Sequence, residues 1–185
     1  MAEHRKEKGR LRLKLKHTPQ EFEESVVTFR LDIWSYNKPV LLLRHTTTNI
    51  SSTQVQDLKV YSIFDFDIGG PMSYKDDMGA YDHENGSVIA YDESQVYVAT
   101  SSLPKPDGWE ISSPLKVKVD SDNRDLKKSP EMGPMDIATA LQCNLGDLKP
   151  GDSRSVDFVL ASAHGLDEVR SLLDDSWGFF KKKIR

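Results

Sequence analysis

The sequence predicts an all-β fold, mainly an antiparallel β-sandwich, with one helix at the C-terminus. Most of the chain alternates apolar and polar residues with a period of two, the pattern of strands that bury one face. Only residues 165–185 repeat apolar residues at spacings of three and four. Short turn signals, such as Asn85-Gly86 and "LKPGDS", separate the alternating segments. A series of strands followed by one helix favours a sandwich that the helix closes.

Length and composition limit the class of protein. The 185 residues fit one ordinary domain, and the net charge of −4 gives no general attraction to nucleic acid. Cys143 is the only cysteine, which excludes an internal disulfide and favours a reducing, cytoplasmic location. No apolar run approaches the ~18 residues of a membrane span. We expect residues 1–9 to be a flexible N-terminal segment, residues 10–164 the sandwich, and residues 165–185 a linker or docking helix.

The first half of the chain contains most of the clear strand signals. "RLRLKLK" at residues 10–16 places leucines on one strand face and cations on the other. This pattern has two interpretations, a basic stripe for nucleic acid or membrane and a half-buried strand with a solvated face, and we favour the second. "SVVTFRLDIWS", "PVLLLRHTTTNIS" and "DLKVYSIFDFDI" predict three further strands, and "VIAYD" with "QVYVATS" predicts a hairpin.

The second half is less regular. "LPKPDGWEISSP" is loop-like, "PLKVKVDS" alternates as a strand does, and "DNRDLKKSPEMGP" predicts a long surface loop. Residues 135–163 suit either a helix or two strands, and the Pro-Gly turn in "LKPGDS" favours two strands. The last segment is helical, because Leu166, Val169, Leu173, Trp177 and Phe180 form one stripe.

An acidic corner follows the fourth strand signal, in "YSIFDFDIGGPMSYKDDMGAYD" at residues 61–82. Asp65, Asp67 and Asp76 are weak candidates for metal ligands, because their spacing partly matches a calcium loop that has Gly69 at another ligand position. Asp65 and Asp67 also have the separation of a glycosidase pair, but any two residues at this spacing on a strand share it. The simplest interpretation is a structural rim of a sheet, so we predict no catalytic residues and no bound metal here.

Other chemical signals are sparse. The five histidines share no metal-ligand spacing, and the chain contains no nucleophile elbow, phosphate loop or dinucleotide fingerprint. We therefore expect no cofactor. Trp34, Trp109 and the tyrosines have rings that could stack on sugars, although isolated aromatic residues in a sandwich usually belong to the core or rim.

Two segments carry a resemblance to a known family, "FDFDIGG" and "LGDLKPGDSRSVDFVLA". Over roughly residues 25 to 180 the chain resembles the N-terminal β-supersandwich domain of prokaryotic glucoamylase-like (family 15) glycoside hydrolases. The resemblance implies a galactose-mutarotase-like supersandwich. In that family the hydrolysing carboxylates lie in a following (α/α)6 barrel. The resemblance therefore implies that this chain is an accessory domain without its own active site.

Two functional hypotheses follow. The first is a non-catalytic accessory domain that supports or docks a glycoside-hydrolase catalytic barrel, in cis or in trans. The second is a stand-alone carbohydrate-binding or mutarotase-like module. For the first, the partner-docking residues predicted on the C-terminal helix are Leu172, Trp177, Phe179 and Phe180. The wide apolar surface of this helix also predicts self-association through residues 172–182, and we expect no contact with nucleic acid or membranes.

Overall fold

A computed structural model describes residues 3–7, 9–35, 37–70, 73, 75–120, 122, 124–129 and 131–183. In chain order the elements are β1 (Glu3–Glu7), β2 (Arg10–His17), β3 (Val27–Ser35), β4 (Val40–Asn49), β5 (Val55–Asp65), β6 (Met78–Asp82), β7 (Ser87–Tyr91), β8 (Val96–Leu103), β9 (Gly108–Ser112), β10 (Glu131–Met132), β11 (Ala138–Leu148), β12 (Ser153–His164) and α1 (Leu166–Lys183). The predicted all-β fold with a C-terminal helix is confirmed.

The strands form two antiparallel sheets. The large sheet has nine strands in the order β1-β2-β3-β4-β12-β8-β7-β6-β10, and the small sheet has three in the order β5-β11-β9. The ambiguous segment at residues 135–163 forms β11 and β12, which lie in different sheets. The turn between these two strands therefore joins the two layers of the sandwich.

The large sheet is buried on both faces in its central strands. Leu43 and Phe158 face the small sheet and pack in a core with Leu141 and Cys143. Their neighbours in sequence, such as Leu42 and Val159, face the opposite way and pack beneath α1 in a second core. This two-sided burial explains most of the apolar run in "VLLLR", because residues on both faces of a central strand then meet apolar neighbours; Leu41, which is 37% exposed, is the exception.

Helix α1 forms the third layer. Gly165, with φ of 116°, precedes it, and Asp167 and Glu168 lie in its first turn, where the helix dipole favours negative charge. Val169, Leu173 and Phe180 are buried along one side of the helix. The helical stripe predicted from the sequence is the face that packs on the large sheet. No helix in the described part of the chain is long and apolar enough to cross a membrane.

A row of alternating charges crosses the large sheet on the same side as α1. The register places Arg12 opposite Asp32, Asp32 opposite Arg44, and Arg44 opposite Asp157. Asp32 accepts a hydrogen bond from Arg12 at 2.7 Å, and Arg44 donates two bonds to Asp157 at 2.6 and 2.7 Å. Burial alone would favour neutral Asp32, but hydrogen bonds from Arg12 and Arg10 hold its pKa below its usual value. The cationic face of "RLRLKLK" is therefore partly neutralised within the sheet.

Several segments differ from the sequence-based expectation. The predicted surface loop "DNRDLKKSPEMGP" contains β10 and the buried Leu126. Residues 1–9 were predicted to be flexible, but Glu3–Glu7 pairs with β2 as an edge strand, and its sequence "EHRKE" has no apolar residue to reveal it. Residues 114–120, the described part of "PLKVKVDS", form no strand, and Leu115 within them is 85% exposed. Conversely, the loop-like segment at residues 103–114 contains β9.

Candidate functional site

The acidic corner lies where β5 ends. Asp65 is the last residue of β5, and Asp65, Asp67 and Asp76 are all exposed. Ile68 turns inward and is buried in the core between the sheets. Partial loss of solvent around the carboxyl group raises the pKa of Asp65, and the nearby negative charges of Asp136 and Asp67 raise it further. The corner has the geometry of a sheet rim with outward carboxylates.

These three aspartates do not converge on one point. Among the residues that the structure describes, no group of three His, Cys, Asp or Glu side chains is placed to hold a metal ion. Gly69, at the position where the calcium-loop spacing needs a ligand, has φ of 74° and makes the tight turn. A Cβ at this position would lie 2.6 Å from Oδ2 of Asp92, so the glycine permits a close approach of the chain to that carboxylate.

Asp77, which was not among the predicted site residues, is the buried acid of this corner. Its side chain is 0% exposed, and within the described residues neither carboxylate oxygen has a partner at full hydrogen-bond geometry, the backbone N–H of Ile68 being a nearby weak donor. Burial raises the pKa of Asp77 to about 6, and the negative charges of Asp92 and Asp67 act in the same direction, whereas the N–H of Ile68 opposes the rise. In the folded protein the Asp77 carboxyl group therefore keeps its proton at pH values well above those at which an aspartic acid side chain usually ionises.

An apolar groove lies between α1 and the strand β4. We call it the α1–β4 groove; its volume is about 460 Å³ and its lining residues are Lys38, Val40, Leu42, Leu172, Asp175, Ser176 and Phe179. The aliphatic side chains form its floor and Phe179, which is 36% exposed, forms part of its wall. Lys38 and Asp175 supply opposite charges among the lining residues. This combination of an apolar centre with charged groups resembles a small protein-binding surface.

The four predicted docking residues occupy different environments. Leu172 and Phe179 line the α1–β4 groove. Phe180 is 2% exposed and packs edge-on against Trp34, with 5.8 Å between ring centroids. Trp177 packs against the same core. Leu172 also packs against the second core, so what sets Leu172 and Phe179 apart from Trp177 and Phe180 is that they line the groove.

A second groove lies near the N-terminal end of α1. We call it the tyrosine groove; its volume is about 450 Å³ and its lining residues are Ala80, Tyr81, Asp82, His83, Glu84, Ile89, Tyr91, Tyr97, Leu166 and Arg170. Tyr91 and Tyr97 lie opposite each other on β7 and β8, and their rings stack with centroids 5.2 Å apart. Tyr81 stacks on Trp109 at 3.7 Å, which holds its ring against the small sheet. Tyr81 therefore faces the small sheet, and the aromatic rings on the α1 side of the large sheet are the stacked pair Tyr91 and Tyr97.

One ion pair orders the polar side of the tyrosine groove. Nε and Nη2 of Arg170 both lie 3.0 Å from Oδ2 of Asp82. The other oxygen of Asp82 accepts hydrogen bonds from the backbone N–H groups of Glu84 and Asn85. Burial opposes ionisation of Asp82, but these donors and Arg170 hold its pKa below the usual value. The turn predicted from Asn85-Gly86 therefore orients Asp82, and Asp82 in turn holds Arg170 in the groove.

Of the four histidines whose side chains the structure describes, only His83 lies at either groove. His17 and His164 are exposed, and His83 lies at the tyrosine groove. His45 lies between Phe29 and Phe158, with both ring centroids 5.1 Å away. Burial lowers the pKa of His45 to about 4, so its imidazole is neutral near pH 7.

Comparisons with known proteins find similarity in structure. No protein-family model matches the sequence, and no curated protein sequence matches it. A bacterial glucoamylase, solved in complex with acarbose, superposes with a TM-score of 0.70 at 16% identity, over 96% of this chain and 26% of that one. This chain therefore spans about a quarter of the glucoamylase.

Two sugar-epimerase-like structures also match. A GalM/aldose epimerase homologue from Caenorhabditis elegans has a TM-score of 0.59 at 9% identity, over 89% of this chain and 69% of that one. An aldose 1-epimerase-like protein from Escherichia coli K12 has a TM-score of 0.56 at 9% identity, over 88% and 68%. At these identities the likeness concerns the fold, which is the galactose-mutarotase-like β-sandwich.

Proposed function

We propose that this chain is a non-catalytic accessory β-sandwich domain of a glucoamylase-like glycoside hydrolase system. In this proposal the domain docks a catalytic (α/α)6 barrel through the α1–β4 groove. The observation that carries the proposal is the apolar groove beside the C-terminal helix, which Phe179 lines. This groove belongs to a sandwich whose fold is similar to part of a bacterial glucoamylase. The fold alone would not carry this function, because one fold serves many functions.

The residues that line the α1–β4 groove suit the binding of another protein. Val40, Leu42 and Leu172 form an apolar centre of a kind that a partner's side chain can fill. Lys38 and Asp175 offer one cation and one anion for pairing with groups on the partner. Phe179 is the aromatic anchor expected of such an interface.

The placement of acids supports an accessory role rather than hydrolysis by this chain. Asp65 and Asp67 are exposed at a sheet rim, and neither lines the α1–β4 groove or the tyrosine groove. A glycosidase needs two carboxyl groups on opposite sides of a bound sugar, one of them with a raised pKa. Asp77 has a raised pKa, but its oxygens are buried away from a substrate. Asp82 and Glu84 line the tyrosine groove, but Asp82 is paired with Arg170 and its pKa is held below the usual value, which does not suit a catalytic acid.

The experiment is to co-express this chain with the catalytic region of the bacterial glucoamylase and measure the mass of the product by light scattering. We expect a complex of one copy of each protein. A chain that remains separate from the catalytic region would contradict the proposal. A complex of two copies of this chain, which Phe179→Asp converts to a monomer, would assign the groove to self-association instead.

The alternative is a stand-alone carbohydrate-binding or mutarotase-like module. It is favoured by the likeness to two epimerase-like proteins, of which this chain spans more than two thirds. Mutarotation needs an acid and a base beside the sugar. His83 and Glu84 line the tyrosine groove and are the side chains that could serve there, whereas His45 is packed between two phenylalanines, away from both grooves. Polarimetry of freshly dissolved α-glucose separates the two functions. The accessory proposal predicts no acceleration by this chain, and acceleration in proportion to its concentration would support the alternative.

A further inference from the structure

We propose that the tyrosine groove binds a pyranose ring of a neutral saccharide. This inference does not depend on the docking of a catalytic domain, because it concerns the opposite end of α1 and different side chains. For the alternative function, a carbohydrate-binding module, this inference names a binding site and the chemical class of its ligand.

The rings of the groove match the apolar face of a pyranose. One face of such a sugar presents C–H groups, which pack on the flat face of an aromatic ring while the hydroxyls point outward. Tyr91 and Tyr97 supply adjacent stacked rings, and Ile89 and Leu166 extend the apolar floor beside them. A volume of about 450 Å³ lies within the roughly 300–1,000 Å³ range of small-molecule sites.

The polar groups of the groove match hydroxyls rather than a charged ligand. Arg170 provides N–H donors whose orientation Asp82 fixes, and its side chain is still 39% exposed. Glu84 provides acceptors at the exposed edge. Asp82 already balances the positive charge of Arg170, and Glu84 adds a further negative charge. A phosphate or carboxylate would therefore meet no net electrostatic attraction in the groove.

The order already present in the groove reduces the cost of binding. Tyr97 is held by Tyr91, and Arg170 by Asp82, so these groups lose little freedom when a ligand arrives.

The test is saturation-transfer NMR of the unmodified chain with maltotriose, cellotriose and adenosine monophosphate, each at millimolar concentration. We expect transfer to the C–H protons of at least one trisaccharide and none to the nucleotide. The absence of transfer to both trisaccharides would overturn the inference. Preferred transfer to the nucleotide would overturn the assignment to a neutral ligand.

Two variants locate the binding. Arg170→Gln should weaken saccharide binding about tenfold, whereas Arg124→Gln should leave it unchanged. Arg124 is a matched control, because it also pairs with an aspartate, Asp57, at 2.9 Å and lies outside the groove. Tyr97→Phe keeps the ring and should retain binding. Undiminished transfer in a folded Arg170→Gln variant would place the saccharide elsewhere and overturn the site.

Discussion

Trp177 donates a hydrogen bond from Nε1 to Oγ of Ser101 over 2.9 Å, which joins α1 to β8 in the large sheet. Ser101 is 2% exposed, so this bond is enclosed by the second core. The helix is therefore an integral layer of the sandwich, and its aromatic residues do not all serve one purpose.

Loss of the Trp177 side chain should destabilise the fold. We expect Trp177→Ala to lower the free energy of unfolding by about 3 kcal/mol, because it removes a large packed ring and leaves a cavity. Trp177→Phe should cost about 1 kcal/mol, close to the value of one hydrogen bond. Denaturant titration measures both, with Phe179→Ala as the control that should change stability least. If Trp177→Ala left stability unchanged, α1 would not be held by this contact.

Asp77 should make stability depend on pH. Its pKa is raised from 3.8 to about 6 by burial, so the folded chain holds this proton more tightly than the unfolded chain does. The contribution of the carboxyl to stability is complete below about pH 4 and is lost as the pH rises through about 6. Asp77→Asn cannot ionise, so it should be more stable than the native chain near pH 7, by up to about 3 kcal/mol.

Thermal unfolding near pH 4 and near pH 7 tests this expectation. The advantage of Asp77→Asn should disappear at the lower pH. Asp76→Asn is the matched control, because Asp76 is the adjacent residue and is exposed. A variant that is less stable than the native chain near pH 7 would mean that the Asp77 carboxylate has a stabilising partner.

Two glycines should respond in opposite directions to alanine. At Gly79 a Cβ would lie 2.5 Å from Cγ2 of the buried Ile111, so Gly79→Ala should cost about 1–3 kcal/mol. At Gly178, within α1, a Cβ would meet nothing within 4 Å. Gly178→Ala should therefore stabilise the chain by up to about 1 kcal/mol through helix propensity. Melting temperatures that shift in the same direction for both variants would contradict the packing described for the two positions.

The elements that were predicted correctly show strand alternation, a helical stripe or, in β4, an unbroken apolar run. β9 was missed because its alternation is hidden: Glu110 is 2% exposed and Ile111 is 0% exposed, so both strand faces are buried. "PLKVKVDS" gave the opposite error. It alternates well, but it has no hydrogen-bonded neighbour strand after the small sheet ends at β9.

The sites were less predictable than the strands. The exposure of Asp65 and Asp67 followed from strand alternation, but burial of Asp77 depends on the loop that folds over it. The tyrosine groove joins residues 80–97 to Arg170, and nothing in the local sequence links positions so far apart. Trp177 and Phe180 were predicted as docking residues because their helical stripe is apolar, which is equally the pattern of a helix packed on its own sheet.

The most direct test of the docking proposal is calorimetric titration of the catalytic region of the bacterial glucoamylase into this chain and two variants. The proposal predicts that the native chain binds and that Phe179→Asp weakens binding at least about 30-fold, the effect of an interface hot spot. Leu115→Asp should bind as the native chain does, because Leu115 is exposed but lies outside the α1–β4 groove. No heat of binding for the native chain, or equal binding by Phe179→Asp, would contradict docking through this groove.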